Sequence, residues 1–548
     1  MRSLESALID HELIVIRVIG EWWELDLTGV DKRQAVKLLA ERLMQVDLQQ
    51  EMLFLPPEEE TALQDLLAQD GKIPVSTFQR AYGELRMMGP GRMEREEPWY
   101  DPANSVESLW YRGLIFRSFD PKTEDAVEYF YLPNEFLGKI EPPPVLTMKE
   151  VTVPAIQPST PPEQFNPAAT DAVDDLTTML AAALHISLQP GQRDLYAQFL
   201  LNPDIERRSL LLTLAQEMGL LSRSNGRIRP TRAALEWLKN SREAQLQSLA
   251  EAWTNSEWND LCHTPDLECE GEGWQNDPLL ARTALLDLLP RATEWYRVTD
   301  LIDLVQQNNP DFQRPDGNYD TWYIRESGQQ LYLTGFDSWN QVEGRLLRFL
   351  LVGPLVWLGM VETAVSSETI YRLTSRAVAW LSGATPPTDS HRTPIVVQPD
   401  GSILAATSAD RYERFQAARI SEAQPITPGK PYVYLLTPTS LARAREQGIK
   451  PERLQQFLEQ ASNRPLPKSV ARAIVRWAEH SVEGKLETAV VLRVRDAAIL
   501  DTLRNNPKTR DYISESLADN AAIIKREDWQ KFRAATVQLG LLLDVADV

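Results

Sequence analysis

One stretch of pattern occurs twice and limits what this chain can fold into. Around Gly219 the sequence reads MGLLSRSNGRIRPTRAALEWL, and around Gly359 it reads LGMVETAVSSETIYRLTSRAVAWL. Both end in T-x-x-A-x-x-W-L, at Thr231, Ala234, Trp237 and Leu238 and at Thr374, Ala377, Trp380 and Leu381. A weaker copy begins at Gly113 (RGLIFRSFD) and returns at Tyr129 (YFYLPNEFL). Glycine takes the left-handed position that ends a helix. The apolar pair after it opens a strand, and Ser224-Asn225-Gly226 is a hairpin turn. Threonine then caps a new helix, whose Ala and Trp share a face.

Helix, hairpin "wing" and helix are the parts of a winged helix, and three such units are predicted, over 55–140, 171–250 and 278–382. Winged helices read DNA grooves. The residues before each glycine (LLLTLAQEMG, FLLVGPLVWLG) are not basic, which fits protein–protein spacers better than recognition helices. Ahead of them, 1–50 reads as a helical cap. Leu13–Leu43 gives helix, an extended turn through Leu27-Thr28-Gly29, and helix, resembling SAP-like DNA-binding motifs. Lys32 and Arg33 open its second helix with Lys37 and are candidate nucleic-acid contacts; a plain helical cap is the alternative.

Two boundaries divide the chain. Residues 141–170, through EPPPVLTMKEVTVPAIQPSTPPEQFNPA, are proline-rich without apolar period and read as a semi-rigid tether. GATPPTDSHRT (383–393) marks the second. The 548 residues suit several domains of about 100–200 residues each. With 43% hydrophobic and 25% charged residues, wholesale disorder is excluded. Two cysteines, Cys262 and Cys269, fit a reducing cytoplasm. The N-terminal run has charges inside its apolar stretch and does not read as a signal peptide. The apolar stretch Phe349–Val361 falls short of the ~20 residues of a membrane span and is interrupted at Gly353-Pro354, so it reads as a buried helix pair. No membrane partner is expected.

The net charge of −21 opposes non-specific attraction to DNA. It is unevenly spread. From Pro394 onward there are 22 Lys and Arg against 19 Asp and Glu, a balance of +3; the residues before carry 35 against 59, or −24. Any nucleic-acid contact therefore belongs to the last third.

That third opens with PIVVQPDGSILAA, two strands around Pro399-Asp400-Gly401. Asp410–Ala418 reads as a helix, YVYLL as a strand, and the next helix is capped at Thr439 or Ser440. Two further helices meet at Asn463-Arg464-Pro465. The run V-V-Q-P-D-G-S-I-L, then Y-L-L-T-P-T-S-L-x-x-A-x-x-x-G, then L-x-x-F-L-E-x-x-S-x-x-P-L-P resembles the helicase-associated domain that precedes the motor of XPB-type DNA helicases. The resemblance covers Pro394–His480, and the domain is assigned to 394–482. It implies a damage-recognition-like module that contacts DNA. With GPLVWLG and MGPGR…PW, the layout resembles motor-less bacterial proteins carrying this domain.

The engine is missing from the sequence. A helicase motor needs G-x-x-x-x-G-K-[ST] to cradle phosphates. Gly71-Lys72, Gly138-Lys139, Gly429-Lys430 and Gly484-Lys485 lack both the upstream glycine and the following Ser or Thr. No nucleophile elbow or dinucleotide fingerprint occurs. CHTPDLEC supplies three soft groups where structural zinc wants four. No catalytic residue, cofactor, metal or small-molecule substrate is expected. Glu58-Glu59-Glu60 favours a helix start, and Gly89-Pro90-Gly91-Arg92 reads as a tight loop.

Lys468, Arg472 and Arg476 recur every four residues and line one helix face, while Val470, Ile474 and Trp477 line another. Arg464 precedes that helix, and Arg443 and Arg445 lie on an earlier one. These six, with Lys32 and Arg33, are the candidate nucleic-acid-binding residues. A solvated helix face is the alternative. The end, 487–548, reads strand (AVVLRV), helix, strand (NAAIIK), helix, strand (LLLDV), a small ferredoxin-like sandwich.

The predicted fold is thus multi-domain α+β and mainly helical: tandem winged-helix-like units, then the XPB-N-terminal-like α/β domain, then a ferredoxin-like α/β end. The predicted role is a non-enzymatic DNA-associated adaptor. The rival is a scaffold that docks a helicase, nuclease or transcription complex without touching DNA.

Overall fold

A computed structural model describes the chain except residues 1, 120–126, 141–155, 186–195, 225–226, 272–275, 366–369, 388–391, 428, 481–483, 485–487 and 546–548. Helices hold most of the regular structure, and the strands form small separate sheets whose pairs are all antiparallel. This is a multi-domain α+β chain. It divides into two compact units: Met1–Gln398 with Ser402–Leu436 and Gln460–Asn463, and Pro399–Gly401 with Thr437–Glu459 and Arg464–Val548.

In the first unit the expected helix pair near the start forms as Leu13–Trp22 and Lys32–Gln45, with Asp31 accepting from the backbone of Arg33 and Gln34. It is not an independent cap. One apolar core runs from Leu4 to Ile140 and takes in Ile16, Leu39, Leu63, Leu109 and Phe130 alike. The sheet inside it has Glu128–Tyr131 between Lys72–Pro74 and Phe116–Phe119. Gly89-Pro90-Gly91-Arg92 is not a loop. Proline at the first helical position starts the helix Pro90–Glu96, and Arg92 is spent on an ion pair with Glu96.

The repeated pattern folds the same way each time. Gly113, Gly219 and Gly359 have φ of 68°, 68° and 73°, the left-handed region where a side chain is strained. A hairpin follows in each case: Phe116–Phe119 with Glu128–Tyr131, Leu221–Ser224 with Arg227–Pro230, and Val361–Ala364 with Ile370–Leu373. The expected turn residues Asn225 and Gly226 lie outside the described residues. Thr231 then accepts from Ala234 N–H at 3.4 Å and Thr374 from Ala377 N–H at 3.1 Å, capping Arg232–Leu238 and Ser375–Leu381. Ala234 and Trp237 are buried in one copy and Ala377 in the other.

The proline-rich stretch departs from the expected tether in its second half. Phe165–Asn166 pairs with Val361–Ala364, and Ser159 donates its N–H to Trp295 O at 2.6 Å. Arg372 sits 4.7 Å from the Phe165 ring and 4.8 Å from Trp295. An aromatic pair clamped by a guanidinium holds this piece to its sheet.

The hairpin around Pro399-Asp400-Gly401 forms, as Val396–Val397 and Ser402–Ala405, and Tyr432–Leu435 and Glu422–Ala423 complete a four-stranded sheet. The helix Arg411–Ile420 packs on Ala172–Ala182 through Arg414, fully buried, which donates to Asp174 O at 2.6 Å and lies 4.0 Å over the Tyr432 ring.

In the second unit the helix Pro438–Glu446 begins two or three residues earlier than expected. Its cap is Thr437, in a reciprocal pair with Ser440, rather than Thr439 or Ser440 alone. The helices Pro451–Ser462 and Lys468–His480 follow. The C-terminal module has the order Val490–Arg493, helix Ala497–Asn505, Ile513–Ala518, Ala521–Ile524, helix Trp529–Gln538. Ala521–Ile524 is the central strand, around a core of Leu500, Leu503, Ile524 and Phe532. Ile513–Ala518 was not anticipated as a strand, and Leu541–Val545, expected to be one, has no strand pairing.

Candidate nucleic-acid interface

The helix Lys468–His480 is split cleanly between two faces. Val470 and Ile474 are buried and Trp477 is half-buried, while Lys468, Arg472 and Arg476 are exposed. Burying the branched aliphatic pair fixes the helix rotation, and the four-residue spacing then puts all three cations toward solvent. Two polar contacts hold the helix. Ser469 Oγ donates to Pro399 O at 2.8 Å, and Gln455 Nε2 donates to Ala471 O at 3.1 Å. Arg472 bends back to its own helix, donating from Nε to Lys468 O at 3.2 Å.

The helix is entered through a tight corner. Asn463 takes a left-handed φ of 49°. Arg464 N–H reaches Glu459 O, and Leu466 N–H reaches Glu459 Oε1. This leaves Arg464 exposed just before the basic face. An open depression of about 720 Å³ is lined by Gln455, Ser469, Arg472, Val475, Arg476 and the carboxylate of Glu479, with His480 at its end. Arg445 is exposed and Arg443 half-buried, both in the last turn of Pro438–Glu446, where cations suit the helix dipole.

Residues 395–518 match the family model described as a helicase conserved C-terminal domain. The match ties this chain to helicase-related proteins. No curated protein matches the chain. The matched segment contains the whole basic helix, the Arg443–Arg445 turn and Arg464.

Lys32 and Arg33 belong to the other compact unit, at the start of Lys32–Gln45. Arg33 is exposed and Lys32 half-buried. A helix N-terminus disfavours cations, and Asp31 already satisfies its first free N–H groups.

Several charged groups elsewhere are structural. Arg282 donates to Asp260 at 2.8 Å and to Ser256 O and Trp258 O at 2.6 Å each, with both side chains about 1% exposed. Arg207 bridges Asp175 and Asp171, and Arg314 pairs with Glu343. Burial pushes the Asp175, Asp260 and Glu343 carboxyls up, and their arginines pull them back. In CHTPDLEC, the two thiols hydrogen-bond to each other, which holds Cys262 below the usual thiol range. His263 stacks on Trp258 at 4.3 Å and pairs with Glu206. Among the described residues no group of three His, Cys, Asp or Glu gathers as for a metal, and no helix is long and apolar enough to cross a membrane.

Sequence reasoning missed Gln455 and Ser469, which position the basic helix. It also passed over Arg493 and Arg495, exposed at the end of a strand and just beyond it and visible in the run VLRVR.

Proposed function

We propose that the chain is a non-catalytic, DNA-associated adaptor of bacterial cytoplasm, related to helicase accessory domains. In this reading 394–482 is an XPB-type helicase-associated domain and supplies the DNA contact. The three helix–hairpin–helix segments are winged-helix-like scaffold units, and 487–548 is a ferredoxin-like end. The observation that carries it is the exposed row of Lys468, Arg472 and Arg476 within the helicase-family match, on a helix whose opposite face is buried. Such a row neutralises backbone phosphates without reading bases. Support for an adaptor rather than a motor is the lack of a phosphate-cradling loop in the sequence. The strands within 395–518 also pair antiparallel, whereas nucleotide-binding α/β sheets are mostly parallel.

The second reading, a scaffold that docks a helicase, nuclease or transcription complex, is favoured by one observation: the residues before Pro394 carry a balance of −24. A gel-shift titration of the full chain at two salt concentrations, against duplex, forked and single-stranded DNA, separates the two. The adaptor binds at low salt and weakens at high salt. Reversing Lys468, Arg472 and Arg476 to Glu weakens it further without loss of helical circular dichroism. No salt-sensitive binding to any of the three DNAs leaves the scaffold reading.

A further inference from the structure

The C-terminal module has an open sheet edge. Among the described residues Val490–Arg493 pairs only with Ala521–Ile524, so one main-chain side of the strand has no partner strand. A groove of about 450 Å³ lies there, lined by all six consecutive residues 490–495 and by 541–545. Successive side chains of a strand point to opposite faces, so a groove touching all four residues of Val490–Arg493 follows the strand's edge rather than one face. The order strand, helix, strand, strand, helix, with the third strand central, leaves that edge for a fourth strand. Leu541–Val545 comes next in the chain and lines the groove, yet forms no ladder with it.

The groove's chemistry names its occupant. Ile499, Trp529 and Phe532 give it an apolar lining. Arg493, Arg495 and Arg533 are exposed along it, and no ion pair joins any of them to another described residue. Asp544 is the one acid among the described lining residues. Arg493 is the last residue of the strand, and Arg495 follows it in the bend just beyond the strand's end. Leu492 and Val494, between and beside them, are buried.

We propose that the Val490–Arg493 edge binds an extended acidic peptide segment of a partner protein by strand addition, with its carboxylates on Arg493, Arg495 and Arg533 and its apolar residues toward Trp529 and Phe532. Main-chain hydrogen bonds supply affinity in this mode, and the side-chain alternation supplies selectivity. The open, apolar edge is otherwise a liability that natural sheets cover or blunt.

The test uses the full chain and a fluorescein-labelled decapeptide of alternating Asp and Val, read by anisotropy. Two control probes are the Lys–Val decapeptide and the Asp–Val peptide N-methylated at alternate residues. The Asp–Val peptide is expected to bind, and both controls at least about tenfold more weakly. The combined Arg493→Glu, Arg495→Glu, Arg533→Glu variant is expected to lose at least about tenfold while keeping its circular dichroism. Equal binding of methylated and unmethylated peptides overturns strand addition. Absence of binding, or binding untouched by the arginine reversals, overturns the site. Self-association of the peptide-free chain that the reversals abolish overturns the choice of occupant in favour of a second copy.

Discussion

The two compact units use arginine in opposite ways. In the first, Arg207, Arg282, Arg314 and Arg414 have side chains 1–2% exposed and are locked onto carboxylates or carbonyls. In the second, Arg445, Arg464, Arg472, Arg476, Arg493, Arg495 and Arg533 are exposed. The split at Pro394 does not coincide with this division: Arg411 and Arg414 follow it and are buried in the first unit, while the exposed arginines named here belong to the second. Charge counts locate the polarity of a region. Burial decides whether a cation is part of the core or open to a ligand.

The contrast between the units is tested most severely at a buried pair. Arg282→Leu leaves buried Asp260 without its counter-ion, with the Trp253 indole N–H still donating to it, and strands two carbonyls, so urea denaturation is expected to show a loss of about 3–5 kcal/mol. A loss under about 1 kcal/mol would mean these buried pairs are not what holds the first unit. A smaller effect comes from His11, buried against Trp110 and Phe116. Burial drives its pKa down to about 4; the Asp10 charge opposes this and Lys32 adds to it. The unfolded chain therefore binds the proton first. Stability is full above about pH 6.5 and falls by about 3 kcal/mol as pH drops toward 4. Substitution by Phe is expected to flatten that window in a pH series of thermal melts. Smaller again are the caps: Thr231→Ala and Thr374→Ala should each cost about 1 kcal/mol. Unequal losses would show that the two copies of the motif are not energetically alike. By contrast, Arg472→Glu should change stability by no more than about 0.5 kcal/mol.

Local chemistry is what the sequence revealed best. Positive-φ glycines, threonine caps and the Pro399-Asp400-Gly401 hairpin each act within a few residues, and all three formed. The basic face of Lys468–His480 was legible for the same reason, since its spacing needs only one helix. Long-range pairing was not legible. Phe165–Asn166 is two residues long and meets Thr363–Ala364 from far along the chain, with only proline-rich sequence around it. Leu541–Val545 has strand propensity but no ladder, because propensity reports a fit to a pleated surface and not the presence of a neighbour. The buried arginines were not singled out, since nothing local marks a guanidinium that a distant carboxylate will bury. Thr437 was passed over as a cap because Thr439 and Ser440 offered the same chemistry two and three residues later.

The proposed hold on DNA phosphate rests on the exposed face of Lys468–His480. It is measured by the slope of log Kobs against log salt for duplex DNA binding to the full chain, with and without Lys468→Glu, Arg472→Glu and Arg476→Glu together. If this face holds the phosphates, the triple variant binds more weakly and its slope is shallower by about 3, one for each phosphate no longer neutralised. An unchanged slope and affinity in a folded variant would contradict it.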